Sequence, residues 1–387
     1  MALTTVSSDR LATNVKNTNF TDAEKQDLTD DIKPLLGSSG GGNKNKIING
    51  SMIVSQRGTS FAAANNIYTL DRFRANGSHD GAITVSQSTT SPDGFAKSLK
   101  VDVTTADTSI ASNQYLQINN RVEAQDLQDL AYGTSAAKTI TVSFYVRSNL
   151  TGTYTFAIQQ SDNSSKQVSQ TYTINSANTW ERKTFTFAGD TSGVINDDNG
   201  TGFQIYWNLA IGSQYTTGTS RAAWTAYADA DFAAGHTANL LSSTSNEFYL
   251  TGIQLEVSSV VTDFDHSSFT DELRRCQRYY YVVADARDAG STGQFATGFA
   301  YHNGQAEVTI HYPVMRASPS LVHSTGTNYY GAINNNNSAT FNNFVIYQAS
   351  PRVALIYNGN LSGLTQGDAY RLYLNNDLSY IHLEAEI

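Results

Sequence analysis

Apolar residues recur at every second position through much of the chain between Ile47 and Phe264. That period puts them on one face of a strand. In KTITVSFYVRS the inward set is Ile140, Val142, Phe144 and Val146. TYTFAIQQ repeats the pattern with Tyr154, Phe156 and Ile158, and WERKTFTFAGD ends a strand on Phe185 and Phe187. GFQIYWNLAIG sets Phe203, Ile205, Trp207 and Leu209 on one face and Gln204, Tyr206 and Asn208 on the other. EFYLTGIQLEV keeps Phe248, Leu250, Ile253, Leu255 and Val257 together only if the strand bulges near Thr251 and Gly252. A glycine inside a strand marks such a bulge. Short strands separated by turn residues predict an all-β fold, a jelly-roll-like β-sandwich over residues 47–265.

The period changes in two places. Thr21 and Glu24 form a capping box ahead of Leu28, Ile32, Leu35 and Leu36, which predicts a helix that Pro34 ends or bends. GSSGGGNKNK (37–46) then reads as a flexible linker. Residues 1–46 are expected to be an anchor that orders on a larger assembly. The second change is FTDELRRCQRYYYVV, within a connecting segment 266–289. Asp271 and Glu272 suit a helix N-terminus, and Arg274, Arg275 and Arg278 follow. Leu273, Cys276 and Tyr280 predict one buried face, with Arg274 and Arg278 left exposed. Beyond residue 290 strands resume, with a hairpin turn at Asn303-Gly304. In the last strand Ile381, Leu383, Ala385 and Ile387 alternate with His382, Glu384 and Glu386. Residues 290–387 are expected to form a small C-terminal β domain. A free sheet edge at the last strand would invite pairing, so a closed oligomer is expected there.

Composition narrows the functional classes. Lys and Arg total 25 against 34 Asp and Glu, a formal net charge of −9. With no basic stripe beyond Arg274, Arg275 and Arg278, nucleic acid is not an expected partner. The lone Cys276 permits no intrachain disulfide. The opening MALTTVSSDRLATNVKN lacks the apolar core of a secretory signal, and no apolar run reaches membrane-spanning length. No membrane insertion is expected. Charged residues are only 15% of the chain, so its surface is polar mainly through hydroxyl and amide groups.

IINGSMIVSQRGTS followed by YTLDRF resembles the opening of a β-sandwich module of bacteriophage tail-fibre-like proteins. FYLTGIQLEV, then TDFDHSSFTDELRRCQRYY, resembles its close, so the resemblance covers about residues 47–281. The module is similar to carbohydrate-binding jelly rolls. The C-terminal region more loosely resembles the β domains of trimeric phage fibres. The resemblance implies a virion protein made in the host cytoplasm and exposed on the particle. It implies a homotrimeric tail fibre or tip that contacts host surface glycans. Residues 1–46 would meet other virion proteins. The alternatives are a head fibre, capsid decoration or tail-lattice protein without a ligand, and a polysaccharide depolymerase.

Sugar recognition needs aromatic faces and polar side chains. The outward strip Gln204, Tyr206 and Asn208 is one candidate, and Trp224 with Tyr227 in an irregular stretch is another. Trp207 and Trp180 read as packing residues. GDTSGVINDDNGTG offers Asp190, Asp197 and Asp198 as oxygen ligands for calcium. No enzymatic constellation stands out. The seven histidines are scattered, and no nucleophile elbow or phosphate loop occurs. Asp263 and Asp265 are the only obvious carboxylate pair for a glycosidase, and they read as structural. Cys276 on an apolar face reads as an inert thiol.

Overall fold

The computed structural model describes residues 44–63, 66–162, 165–289, 293–334, 338–359, 361, 363 and 365–387. The expected N-terminal helix and most of the linker lie outside these residues. Lys44 to Lys46, assigned to that linker from sequence, are built into the fold. The Asn45 side chain bonds both Ile253 O and Leu255 N–H, and Lys46 N–H donates to Leu255 O.

The first region comprises β1 (Ser60–Ala63), β2 (Ile67–Tyr68), β3 (Phe73–Ser78), β4 (Ala82–Ser88), β5 (Ser98–Thr105), β6 (Tyr115–Glu123) and β7 (Ile140–Ser148). It continues through β8 (Gly152–Gln160), β9 (Lys166–Ile174), β10 (Glu181–Phe187), β11 (Thr201–Ile211), β12 (Arg221–Ala226) and β13 (Glu247–Glu256). These strands make two antiparallel sheets, ordered β1-β4-β5-β13-β7-β10 and β12-β9-β8-β11-β6-β3-β2. The alternating apolar residues form the core between them. Phe144 and Phe185 of the first sheet meet Phe156 and Trp207 of the second, with ring centroids 5.2 to 6.0 Å apart. Each such side chain contributes roughly 1.5–3 kcal/mol by leaving water. The expected bulge is present, since the register of β13 on β7 slips between Thr251 and Gln254. Gly252 there has φ +60°, and a Cβ would stand 2.7 Å from the Phe95 ring. Trp207 is fully buried, and Trp180 packs edge-on against Tyr249 outside the first sheet.

The second region comprises β14 (Tyr280–Asp285), β15 (Gln294–His302), β16 (Gln305–His311), β17 (Ser320–His323), β18 (Tyr330–Ile333) and β19 (Ser338–Phe341). It ends with β20 (Val345–Ala349), β21 (Val353–Asn358), β22 (Ala369–Leu374) and β23 (Tyr380–Glu384). A three-stranded sheet β14-β23-β17 packs with a seven-stranded sheet β19-β18-β22-β15-β16-β21-β20 around a second core. The hairpin turns at Asn303 and Gly304 as expected. Two sequence expectations need correction. β14 belongs to the C-terminal sheet, so the segment 266–289 is more than a connector. β23 is not a free edge either: it lies between β14 and β17, and His382 is buried on its second face. The edge argument for a closed oligomer therefore loses its basis.

The helix Phe269–Gln277 is capped by the Ser268 hydroxyl, which accepts from Asp271 N–H. Its buried residues are Glu272 and Cys276, with Tyr279 just beyond, while Leu273 is only half-buried. Cys276 and Tyr280 are buried as expected, but Glu272 and Tyr279 turn inward in place of Leu273, because the helix docks on polar backbone. Glu272 accepts the Asn49 N–H, and Arg275 donates to Asn45 O. Arg274 is exposed, but Arg278 forms two 2.7 Å bonds to the fully buried Glu123. Around this helix the two regions are clamped. Arg72 and Arg57 both reach Glu386, and they lie over the rings of Tyr279 and Tyr280 at 3.4 and 3.7 Å.

Candidate functional site

The outer face of the seven-stranded sandwich sheet is polar because the second position of each alternating strand points there. Register fixes its rows. One row runs Gln159, Gln204, Arg121 across β8, β11 and β6. The next runs Ala157, Tyr206, Asn119, Arg74 and reaches Tyr68 on β2. A third runs Thr155, Asn208, Gln117, Asn76. None of these positions is a carboxylate.

Part of the face is covered. The stretches on either side of β12, residues 213–220 and 227–236, cross it, held by Gln167 bonding Ala228 O and Ser169 bonding Asp231 O. Phe232 stands edge-on to Tyr206 with centroids 5.0 Å apart, and Ala157 and Ala233 complete this small apolar cluster. Burial pushes the Tyr206 phenol up to about 12, against the nearby charges of Arg121 and Arg74. Asn208 lies fully under the cover. Its amide donates to Thr155 Oγ1, which bonds His236 Nδ1, and His236 Nε2 in turn meets Ala238 O. Asn208 therefore serves a buried chain of hydrogen bonds and offers nothing to a ligand.

The open part of the face holds Gln204, Gln159, Arg121 and Arg74, all half-buried. Gln204 Oε1 accepts from Tyr206 Oη at 2.9 Å, and its Nε2 donates to Ser161 Oγ at 3.1 Å. A floor of amide, guanidinium and phenol groups braced in this way presents several donors and acceptors in fixed directions. That suits the hydroxyls of a saccharide. Arg74, Arg121 and Gln159 were not singled out from sequence. The alternation of YLQINNRVE already places Gln117, Asn119 and Arg121 on one face, but only the sheet order brings them beside Gln204.

The remaining candidates sit elsewhere. Trp224 stacks on Phe203 at 5.5 Å, touches Tyr132 and donates Nε1–H to Ala188 O. It closes the edge of the core rather than forming a platform. Tyr227 is exposed on the covering segment and packs beside Phe232. Asp190 is buried, which alone would raise its carboxyl. Lys166, the Ser192 N–H and Gln160 hold it lower instead. Asp197 and Asp198 point to solvent, and Asp198 accepts the Gly200 N–H. Among the described residues no three carboxylate, histidine or thiol groups converge as a metal site requires. Asp265 accepts the Lys44 N–H while Asp263 is exposed. Burial raises the Cys276 thiol well above its usual range, which suppresses thiolate chemistry. No helix among the described residues is long and apolar enough to cross a membrane.

No family model and no curated protein matches the sequence. Solved structures with similar strand arrangements include the enzymatically active domain of tailspike protein 4 from bacteriophage CBA120. It is 9% identical, with a TM-score of 0.30, over 56% of this chain and 22% of that one. A family 4 carbohydrate-binding module is 17% identical, with a TM-score of 0.27, over 54% of this chain and 98% of its own. A family 11 carbohydrate-binding module from Clostridium thermocellum is 10% identical, with a TM-score of 0.27, over 54% and 98%. The assignment as an all-β protein with a β-sandwich rests on the strand order and register above.

Proposed function

We propose that this protein binds a glycan on the open part of the outer sandwich face and serves as a tail fibre or tip on a phage virion. The observation that carries the binding reading is the braced strip of Gln159, Gln204, Tyr206, Arg121 and Arg74, a polar floor beside an apolar cover. The sequence resemblance over 47–281 supports the virion assignment. Without a carboxylate in these rows, the reading is recognition rather than hydrolysis. Glycan-array binding by the full chain, lost in a Gln159→Ala/Gln204→Ala double variant of unchanged melting temperature, is the expected result. Equal binding by that variant overturns the site, and release of reducing ends from a bound polysaccharide overturns the non-enzymatic reading. In adsorption assays the purified protein is expected to compete with particles for host cells. A decoration or lattice protein would not compete.

The reading includes a trimer, which would present three sites together and gain avidity on a repetitive surface. Its support is the outer face of the C-terminal sheet. Phe299, Glu307, Tyr357 and Val345 fall in one row there, with Phe299 49% and Val345 47% exposed and Tyr347 nearby at 65%. An apolar patch of this kind suits contact with further copies of the chain. Light scattering on the full chain is expected to give a trimer mass, and a monomer overturns this part.

A further inference from the structure

An open cleft of about 730 Å³ lies where the two regions meet. One wall belongs to the sandwich, with Phe61 on β1 and Ile67 and Tyr68 on β2. The floor is the outward face of β23 and β17, where Glu384 lies opposite Ser320 and His382 opposite Val322. Ile381 and Leu383 alternate with these residues and belong to the second core. Tyr380 borders the cleft, with the Arg287 guanidinium over its ring at 4.1 Å.

The cleft is continuous with the polar strip on the sandwich. Register sets Tyr68 beside Arg74, at the end of the row that holds Asn119 and Tyr206. Tyr68 also lines the cleft. Its hydroxyl donates to the oxygen of Ile387 at 2.6 Å, and Arg121 of the strip donates Nη1 to the same oxygen at 2.6 Å. Ile387 is itself a lining residue. The strip therefore runs over β2 into the cleft. From β8 to β2 it crosses β11, β6 and β3, about 19 Å at the usual strand spacing, which is more than one sugar ring can cover.

The charges in the cleft are already balanced or held. Arg57 pairs with Glu384 and Glu386, and Arg287 with Asp285. Arg316 donates to the main-chain oxygens of Asn199, Ala385 and Glu386. What stays open to a ligand is apolar surface and hydroxyl: Phe61, Ile67 and Val322 beside Tyr380, Ser318 and Ser320, none of them buried. A sugar ring offers the matching pair of properties, a C–H face and a rim of hydroxyls. Clefts of this size at a junction between domains are favoured places for ligands.

We propose, resting on the glycan-binding reading above, that the ligand is a long saccharide chain held along its length. Some units lie on the strip, and further units cross Tyr68 into the cleft between the sandwich and the C-terminal sheet. The test is titration calorimetry of the full chain with size-graded oligosaccharides, from the disaccharide upward, prepared from bacterial capsular and O-antigen polysaccharides. The expected affinity rises about tenfold or more once the oligosaccharide is long enough to leave the strip, and then levels off. Ser320→Trp fills the cleft from an exposed position. It should abolish that rise and leave the short oligosaccharides bound as before. Ser318→Trp, also exposed, is a second block with the same expected result, and melting curves confirm that each variant is folded. A rise that survives both substitutions overturns the proposal and leaves the strip standing, as does an affinity independent of length. No binding of any oligosaccharide overturns both.

Discussion

His236 and His382 are buried imidazoles, and burial pushes each down to about 4. The opposing Asp285 carboxylate beside His382 does not restore it. In an unfolded chain histidine titrates near 6.5, so between these values the unfolded state binds more protons. Acid then favours unfolding. Stability is expected to be intact above about pH 6.5 and to fall toward pH 4, by about 3 kcal/mol for each imidazole. Urea midpoints at pH 7, 5.5 and 4 measure that slope. His382→Asn should flatten it, and a variant with the parent slope would remove this imidazole as a cause. Gly252 carries a different sensitivity. Gly252→Ala is expected to lose about 2 kcal/mol or more through its positive φ and its contact with Phe95, and a melting curve within a degree of the parent would contradict this.

The helix Phe269–Gln277 shows what strand and helix patterning can and cannot reveal. Its existence, its acidic start at Asp271 and Glu272 and its amphipathic character follow from a short stretch of sequence, whereas the Ser268 cap emerged from the structure. Its rotation does not, because the partner surface is polar backbone from residues 45–49, hundreds of positions away along the chain. Glu272 is therefore buried and Leu273 only half so. The same limit applies to the outer sandwich face. Alternation places Gln204 and Tyr206 outward, yet the covering by Phe232 comes from an irregular stretch that carries no period. Substitutions separate the two orientations of the helix. Arg278→Ala should cost about 3 kcal/mol or more by leaving Glu123 buried without its counter-charge. Leu273→Asp should cost under about 1 kcal/mol, since its site is partly in water. Thermal melts that rank the two in the opposite order would restore Leu273 as the inward anchor.

Across the chain, the two β regions depend on each other more than alternating patterns imply. β14 and β23 share a sheet although nearly a hundred residues separate them, and Arg57 and Arg72 of the sandwich grip Glu386 next to β23. Removing residues 380–387 takes away a central strand and that ionic clamp together. Limited proteolysis of the truncated chain is expected to digest the region beyond Asp285 rapidly and to leave the sandwich resistant. Undiminished protection of the C-terminal region would mean that β17 and β14 close upon each other without β23.

The placement of Asn45 against Arg275, of Asn49 against Glu272 and of Gln56 against Tyr280 O has a mechanical consequence. The covalent path from residue 45 to residue 275 runs through the sandwich strands, but these contacts short-circuit it. A tension applied between residue 44 and the C-terminal region is borne at the helix and the clamp. Most of the sandwich strands lie off that line, so a pull along it reaches their outer face only through the bonds of residues 45 and 46 to β13 and through Arg57 and Arg72.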